Sequence, residues 1–275
     1  MRCLVTALLG LGLAAAASAS DVRFVREGVE VKTVDVPGLM RACPVTTVEI
    51  DDPNYGARKR YRACRLADVL AFGFGAPPAA LGSADVFIRA WDGYDKATSA
   101  AHLAEDGGWI AFGDADLSDG DTLRWAPLGA RRIDPGPLYL VWTRPSQRDT
   151  NRYPWPYQLA EVEIADFGTK YPHAIPSTVP REAPAWLGFT LFRGECIACH
   201  SINGEGGKVG PDLNVPQSIV EYRPVDQVKA YIRDPSTFRY GNMPAHPDLT
   251  DVDLDALIAY FRVMKTLKHD PRAPR

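Results

Sequence analysis

Two cysteines and a histidine share five consecutive positions near residue 200, and this motif constrains the chain more than any other feature. Cys196 and Cys199 are separated by two residues, and His200 follows directly. On one helical turn, two thiols at this spacing lie side by side with the imidazole next to them. A thioredoxin-like redox pair would need a strand–helix–strand context, and a zinc site would need further ligands downstream. No cysteine follows Cys199, so both alternatives are disfavoured.

The same five residues are the attachment signature of a c-type haem. Each thiol can add across one vinyl group of the porphyrin, while the adjacent imidazole reaches the iron from the same side. The sequence therefore predicts one covalent haem c, with Cys196 and Cys199 as attachment residues and His200 as an iron ligand.

The amino terminus has the pattern of a secretory signal. Arg2 precedes an apolar run over residues 4–13, and Ala17-Ser18-Ala19 follows it, which predicts a signal peptide over residues 1–19. The apolar run is too short to span a membrane. We therefore expect an exported, periplasmic protein whose mature chain has no transmembrane segment.

The rest of the chain is long enough for two modest domains. Four prolines at positions 172, 176, 180 and 184 lie in residues 166–185, which disfavours a helix or a central strand and indicates a semi-rigid linker. We expect one domain over residues 20–165 and a second over residues 186–275, which ends in a short polar tail. The formal net charge is −3, so the chain offers no basic field for nucleic acid.

Two helix patterns flank the haem motif. Residues 186–193, with Gly188, lead into the motif, and Thr250 precedes a second helix with acidic residues in its first turns. The apolar face of this second helix contains Leu254, Leu257, Ile258, Phe261 and Met264. The pair resembles the crossed terminal helices of class I cytochromes c. That resemblance implies an all-α C-terminal domain in which Gly188 allows close approach.

Two further segments match the same family and imply the iron environment. Gly210-Pro211-Asp212-Leu213 follows the haem motif, and the resemblance implies that the Pro211 carbonyl accepts the hydrogen bond of the ligating imidazole. The loop over residues 240–244 matches the family's axial methionine loop, which implies Met243 as the sixth ligand. His246 is the main rival, whereas Met264 lies on an apolar stripe where methionine usually fills the core. Two protein ligands on iron imply outer-sphere electron transfer.

The N-terminal region alternates short apolar runs with turns, which predicts strands. These runs cover residues 45–50, 85–90, 109–112, 138–143 and 159–164, and the clearest helix pattern covers residues 66–72. Segments 61–70, 92–94, 136–142 and 155–164 look, in that order, like the molybdopterin-binding fold of the sulfite oxidase family. The resemblance spans about residues 31–166 and implies an α+β domain that is mostly β.

The metal position of that family differs in this chain. Its enzymes bind molybdenum through a cysteine in a segment like residues 47–54, where this chain has Asp51. A carboxylate does not replace the soft thiolate ligand. We therefore expect no molybdopterin and no catalytic residue in this region.

Cys43 and Cys64 are suited to a disulfide. A hairpin that turns around Pro53-Asn54 would place the two cysteines opposite each other, within bonding range. An exported compartment permits oxidation, and two free buried thiols are the alternative.

These features predict a periplasmic monohaem cytochrome that transfers electrons and uses its N-terminal domain to dock a redox protein partner. Two alternatives stay open. One is a molybdenum-dependent oxidoreductase with haem as its built-in electron acceptor, and the other is a protein that binds or senses a small ligand. The sequence favours an electron carrier or redox subunit over a self-contained enzyme.

Overall fold

A computed structural model describes residues 21–273 except 83, 121, 151 and 242. The predicted signal peptide lies outside the described residues. The strands are β1 (Asp21–Arg26), β2 (Val29–Asp35), β3 (Thr46–Asp52), β4 (Ala57–Arg65), β5 (Asp85–Ala90), β6 (Asp95–Ser99), β7 (Gly108–Asp114), β8 (Tyr139–Trp142), β9 (Leu159–Ala165), β10 (Ser201–Ile202) and β11 (Glu205–Gly206). The helices are α1 (Val36–Ala42), α2 (Leu66–Phe74), α3 (Ala100–Leu103), α4 (Phe167–Lys170), α5 (Pro184–Leu191), α6 (Ile219–Tyr222), α7 (Val225–Arg233) and α8 (Asp251–Thr266).

Each of the five apolar runs predicted as a strand overlaps one in the structure. They correspond to β3, β5, β7, β8 and β9, and β5 has the predicted bounds. Helix α2 begins at the predicted residue, Leu66, and ends at Phe74. Its C-cap is Gly75, whose φ of 69° is left-handed and suits glycine.

The first sheet has five strands in the order β2-β1-β9-β5-β6. Its central strand β9 pairs in parallel with β1 and antiparallel with β5, and all its residues are buried. Two of them are carboxylates with cationic partners: Arg23 and Arg89 contact Glu161, and Lys170 contacts Glu163. These partners offset the cost of removing a charge from water.

The second sheet has the order β3-β4-β7-β8 with antiparallel neighbours. The predicted disulfide is confirmed, with 6.0 Å between the Cα atoms of Cys43 and Cys64. The hairpin register used to predict it is wrong by two positions, because Thr46 pairs with Ala63. This register would place position 45 opposite Cys64. Cys43 lies outside the strand, at the C-terminal cap of α1.

Both sheets and α2 contribute to one N-terminal core, which includes Phe24, Tyr61 and Trp142. The buried carboxylate of Asp52 lies beside it and accepts hydrogen bonds from the hydroxyls of Tyr61 and Tyr139 at 2.8 and 3.1 Å. Burial raises the pKa of Asp52, and these hydrogen bonds oppose the increase. The polar group is therefore fully partnered inside an otherwise apolar region.

In the C-terminal region, α5 crosses α8 at Gly188. A Cβ atom at this position would lie 2.0 Å from the carbonyl oxygen of Ala256, so only glycine permits this approach. The rings of Phe192 and Tyr260 pack beside the crossing, with centroids 5.3 Å apart. The close approach implied by the sequence is present.

The prediction of an all-α C-terminal domain is wrong. Strands β10 and β11 pair antiparallel directly after the haem motif. Asn203 and Gly204 connect them with φ values of 57° and 82°. Asn-Gly favours such a two-residue hairpin because both positions tolerate positive φ.

A second core joins the two halves of the chain. Phe192 and Leu254 from the C-terminal region pack in the same cluster as Phe87 of β5 and Phe167 and Tyr171 from the segment predicted as a linker. That segment does not begin extended, because it forms α4 and a 3-10 turn over Pro172–Ala174. Proline is compatible with the start of such a turn, where its missing N–H removes no hydrogen bond. The domain boundaries stay a prediction.

Candidate haem site

The two cysteines of the motif lie on a continuous helical turn. Cys196 ends a π-helical segment, Phe192–Cys196, that extends α5. The amides of Cys199 and His200 both donate to the Cys196 carbonyl, at 3.1 and 2.9 Å. Neither thiol is in a disulfide. Burial raises the pKa of the Cys196 thiol to about 12, so this thiol is not a free surface nucleophile.

The His200 imidazole is oriented from one side. Its Nδ1 lies 2.8 Å from the Pro211 carbonyl oxygen, the contact that the family resemblance implied. A carbonyl can only accept, so Nδ1 carries the proton and the lone pair lies on Nε2. Desolvation by burial lowers the pKa of His200, which favours the neutral, ligating form.

Two glycines shape the walls around this imidazole. A Cβ at Gly210 would lie 2.5 Å from Cε1 of His200, and a Cβ at Gly206 would lie 2.6 Å from the His200 carbonyl oxygen. Side chains at these positions would displace the ring or its backbone. The two free thiols, the oriented imidazole and this close cradle fit a covalent c-type haem.

Met243 is half-buried and packs against the second core. The rival His246 is buried, with its Nδ1 3.7 Å from a Glu195 carboxylate oxygen. Met264 has no exposed surface and lies within the second core, so it fills the interior of α8. Met243 thus combines partial burial with a position outside the regular helices.

Residues of the N-terminal region also reach the haem motif. The Asp95 amide donates to the Ala198 carbonyl at 2.9 Å, and the Lys208 amide donates to the Gly93 carbonyl at 2.8 Å. Lys96 donates to the Gly194 carbonyl. Sequence reasoning missed these contacts because no local pattern links strand β6 to a motif about a hundred positions later.

In the predicted resemblance, Asp51 stands where the sulfite oxidase family has its molybdenum-ligating cysteine. Asp51 is exposed and pairs with Arg148. Within the described part of the chain, no group of three or more His, Cys, Asp or Glu residues could hold a metal ion.

Comparisons with known proteins support a haem site in this region. Residues 185–265 match the family model described as cytochrome c. A second match is "Cytochrome c oxidase subunit 2" of Alkalihalophilus pseudofirmus, 36% identical over 96 residues, which cover 32% of this chain and 28% of that protein. The C-terminal region therefore contains a cytochrome c domain, and such a domain implies covalently bound haem.

The alignment with the oxidase subunit leaves most of both proteins uncovered, because it spans 32% of this chain and 28% of the relative's length. None of the helices over the described residues is long and apolar enough to cross a membrane.

Proposed function

We propose that this chain is an exported electron carrier with one haem, attached through Cys196 and Cys199 and ligated by His200 and Met243. The observation that carries the proposal is the His200 imidazole, held by the Pro211 carbonyl on a turn with two free thiols. A haem in this place would supply one-electron chemistry.

Each residue around the site has a separate role in holding such a group. The Pro211 carbonyl fixes the His200 tautomer and strengthens Nε2 as a donor. A thioether ligand such as Met243 raises the reduction potential relative to a second imidazole. The side chain of His246 faces Glu195, which supports Met243 over His246. Two protein ligands leave no coordination position for substrate, which supports outer-sphere electron transfer.

The wider context of the proposal rests on the sequence and the comparisons. The signal pattern over residues 1–19, the cytochrome c domain and the resemblance to a cytochrome oxidase subunit support export, which we propose is to a periplasm. We further propose that the region over residues 20–165 docks a redox protein partner, and its resemblance to the sulfite oxidase family stays a prediction. The Asp51 carboxylate is paired with Arg148. This supports a docking region over a molybdenum enzyme, because the position that would bind the metal already has a partner.

The test is to express the full chain in a host that matures both c-type haem and molybdenum cofactors. We expect haem staining that survives denaturing electrophoresis, one iron per chain and no stoichiometric molybdenum. The double variant Cys196→Ala/Cys199→Ala should lose the stain completely. The matched control Cys43→Ala/Cys64→Ala removes the other cysteine pair and should keep it.

Two results would contradict the proposal. Staining that persists in Cys196→Ala/Cys199→Ala would show that another residue holds the haem. One equivalent of molybdenum in the purified chain would instead favour the oxidoreductase.

A further inference from the structure

A lysine of the N-terminal region is buried against the haem-attachment turn. Lys96 lies in β6 and has 6% of its surface exposed. Its Nζ donates a hydrogen bond to the carbonyl of Gly194, two residues before Cys196. Lysine is rarely this buried, so its position needs a physical explanation.

Backbone contacts fix the strand that carries Lys96. The neighbouring Asp95 amide donates to the Ala198 carbonyl, inside the haem motif. The Asp95 carboxylate in turn accepts hydrogen bonds from Tyr171 at 2.6 Å and from Arg89 at 2.9 Å. Lys96 is therefore held in one place relative to Cys196 and Cys199.

A carboxylate of the attachment turn acts on Lys96. Burial is the largest influence and lowers the pKa of Lys96, and Glu195 is the first group that raises it. The Glu195 carboxylate opposes this decrease, so an ammonium group at this position has an anionic neighbour on the attachment turn.

Packing alone does not account for a lysine here. An apolar side chain of similar length would fill the same space without the desolvation cost of an ammonium group. The single hydrogen bond to Gly194 contributes modestly to stability. The feature that only a cation supplies is its electrostatic potential at the attachment turn.

We propose that Lys96 raises the reduction potential of the haem, so that the N-terminal region tunes the electron carrier from within the same chain. This inference rests on the proposed function. Reduction lowers the charge of an iron centre by one, so a nearby buried cation stabilises the reduced form. Because the side chain is buried, dissolved salt screens this effect less than it screens a surface charge.

The experiment measures the haem midpoint potential of the full chain by spectroelectrochemistry. Lys96→Met removes the charge and should lower the potential, whereas Lys96→Arg keeps a cation and should stay near the wild-type value. Lys96→Gln keeps a donor for the Gly194 carbonyl without the charge. It should shift the potential in the same direction as Lys96→Met, and it decides the question if the methionine variant does not fold.

Lys32 provides the matched control. It lies on β2, at the opposite edge of the same sheet, and its Nζ donates to the Phe72 carbonyl at 2.5 Å. Four strand spacings, or roughly 19 Å, separate the two edges, which exceeds the Debye length of about 8 Å at physiological salt. Lys32→Met should leave the potential unchanged.

An unchanged potential in the neutral variants would overturn the inference. Equal shifts in Lys96→Arg and Lys96→Met would also overturn it, because they would reveal a packing effect. These results are distinct from failure of the proposed function, in which the wild-type chain itself would carry no covalent haem.

Discussion

The N-terminal region and the cytochrome c domain use their cysteines in opposite ways. Cys43 and Cys64, 21 positions apart, are joined across the N-terminal core. Cys196 and Cys199 lie on one turn and stay free. The distant pair closes a loop and stabilises the chain by itself, whereas the close pair constrains almost nothing unless another group bonds to it. The second pair therefore contributes little to the fold by itself, which supports the proposal that it holds a ligand.

The two regions also differ in how far their cores depend on the rest of the chain. The N-terminal core is built from its own sheets and α2, and the adjacent Asp52 is satisfied by local hydroxyls. The second core includes Phe87 and Tyr171, which lie earlier in the chain than the cytochrome c domain. The cytochrome c domain is therefore packed against a neighbour that shapes its surroundings, which is the basis for the effect assigned to Lys96.

The largest expected effect comes from removing the proposed sulfur ligand of the cytochrome c domain. Met243→Ala is expected to lower the reduction potential and abolish the weak near-infrared band of sulfur-to-iron coordination, because a thioether favours the reduced metal. His246→Ala is the matched control and should change neither. The near-infrared spectrum and a redox titration test this, and the reverse pattern would assign the ligand to His246.

The next prediction concerns the stability of the helix crossing in the cytochrome c domain. In Gly188→Ala, the new methyl group would lie 2.0 Å from the backbone oxygen of Ala256, which must move for the helices to fit. We expect a loss of unfolding free energy of about 3 kcal/mol, at the upper end for overpacking. Denaturant unfolding followed by haem absorbance measures it.

Gly194→Ala supplies the control for this substitution. Nothing lies within 4 Å of a Cβ at that position, so the methyl group should cost little or add helix propensity. Equal destabilisation by the two variants would show that the crossing is more adaptable than the structure indicates.

The disulfide should matter for the N-terminal region only. Cys43→Ala/Cys64→Ala opens a loop of 21 positions, which should destabilise this region by about 3 kcal/mol in the chain-entropy model. The haem spectrum of the folded variant should be unchanged. Five of the six tryptophans lie in the N-terminal region, so fluorescence during unfolding follows mainly that region and haem absorbance follows the other. A parallel loss in both would show that they unfold together.

Features encoded by neighbouring residues could be predicted from the sequence. The strand over residues 85–90 and the cap at Thr250 depend on periodicity and capping chemistry within a few positions. The Cys43–Cys64 pairing was predicted from a hairpin register and an oxidising compartment. The register is wrong by two positions, yet the two cysteines do form the disulfide. The Asn203-Gly204 hairpin also has a local signal, so the all-α prediction overlooked readable information.

The contacts that join the regions could not be predicted in this way. The approach of Lys96 to Gly194 connects residues 98 positions apart, and neither residue has a distinctive neighbourhood in the sequence. The burial of Tyr171 similarly depends on Asp95, 76 positions earlier. Tertiary packing brings such residues together. The periodicity of a single sequence does not show which distant residues will meet.

The smallest expected effect concerns the start of α8, where the cytochrome c domain relies on a local hydrogen-bond pair. The Asp253 amide donates to Thr250 Oγ1 at 3.2 Å, and the Thr250 amide donates to an Asp253 carboxylate oxygen at 2.9 Å. Thr250→Ala removes the cap and should cost about 1 kcal/mol, or roughly 2–4 °C in melting temperature for a chain of this size. Thr266→Ala, at the last residue of the same helix, removes only a local bond to the Val263 carbonyl and should cost less. If the two variants melt together, the cap is not what holds this end of α8.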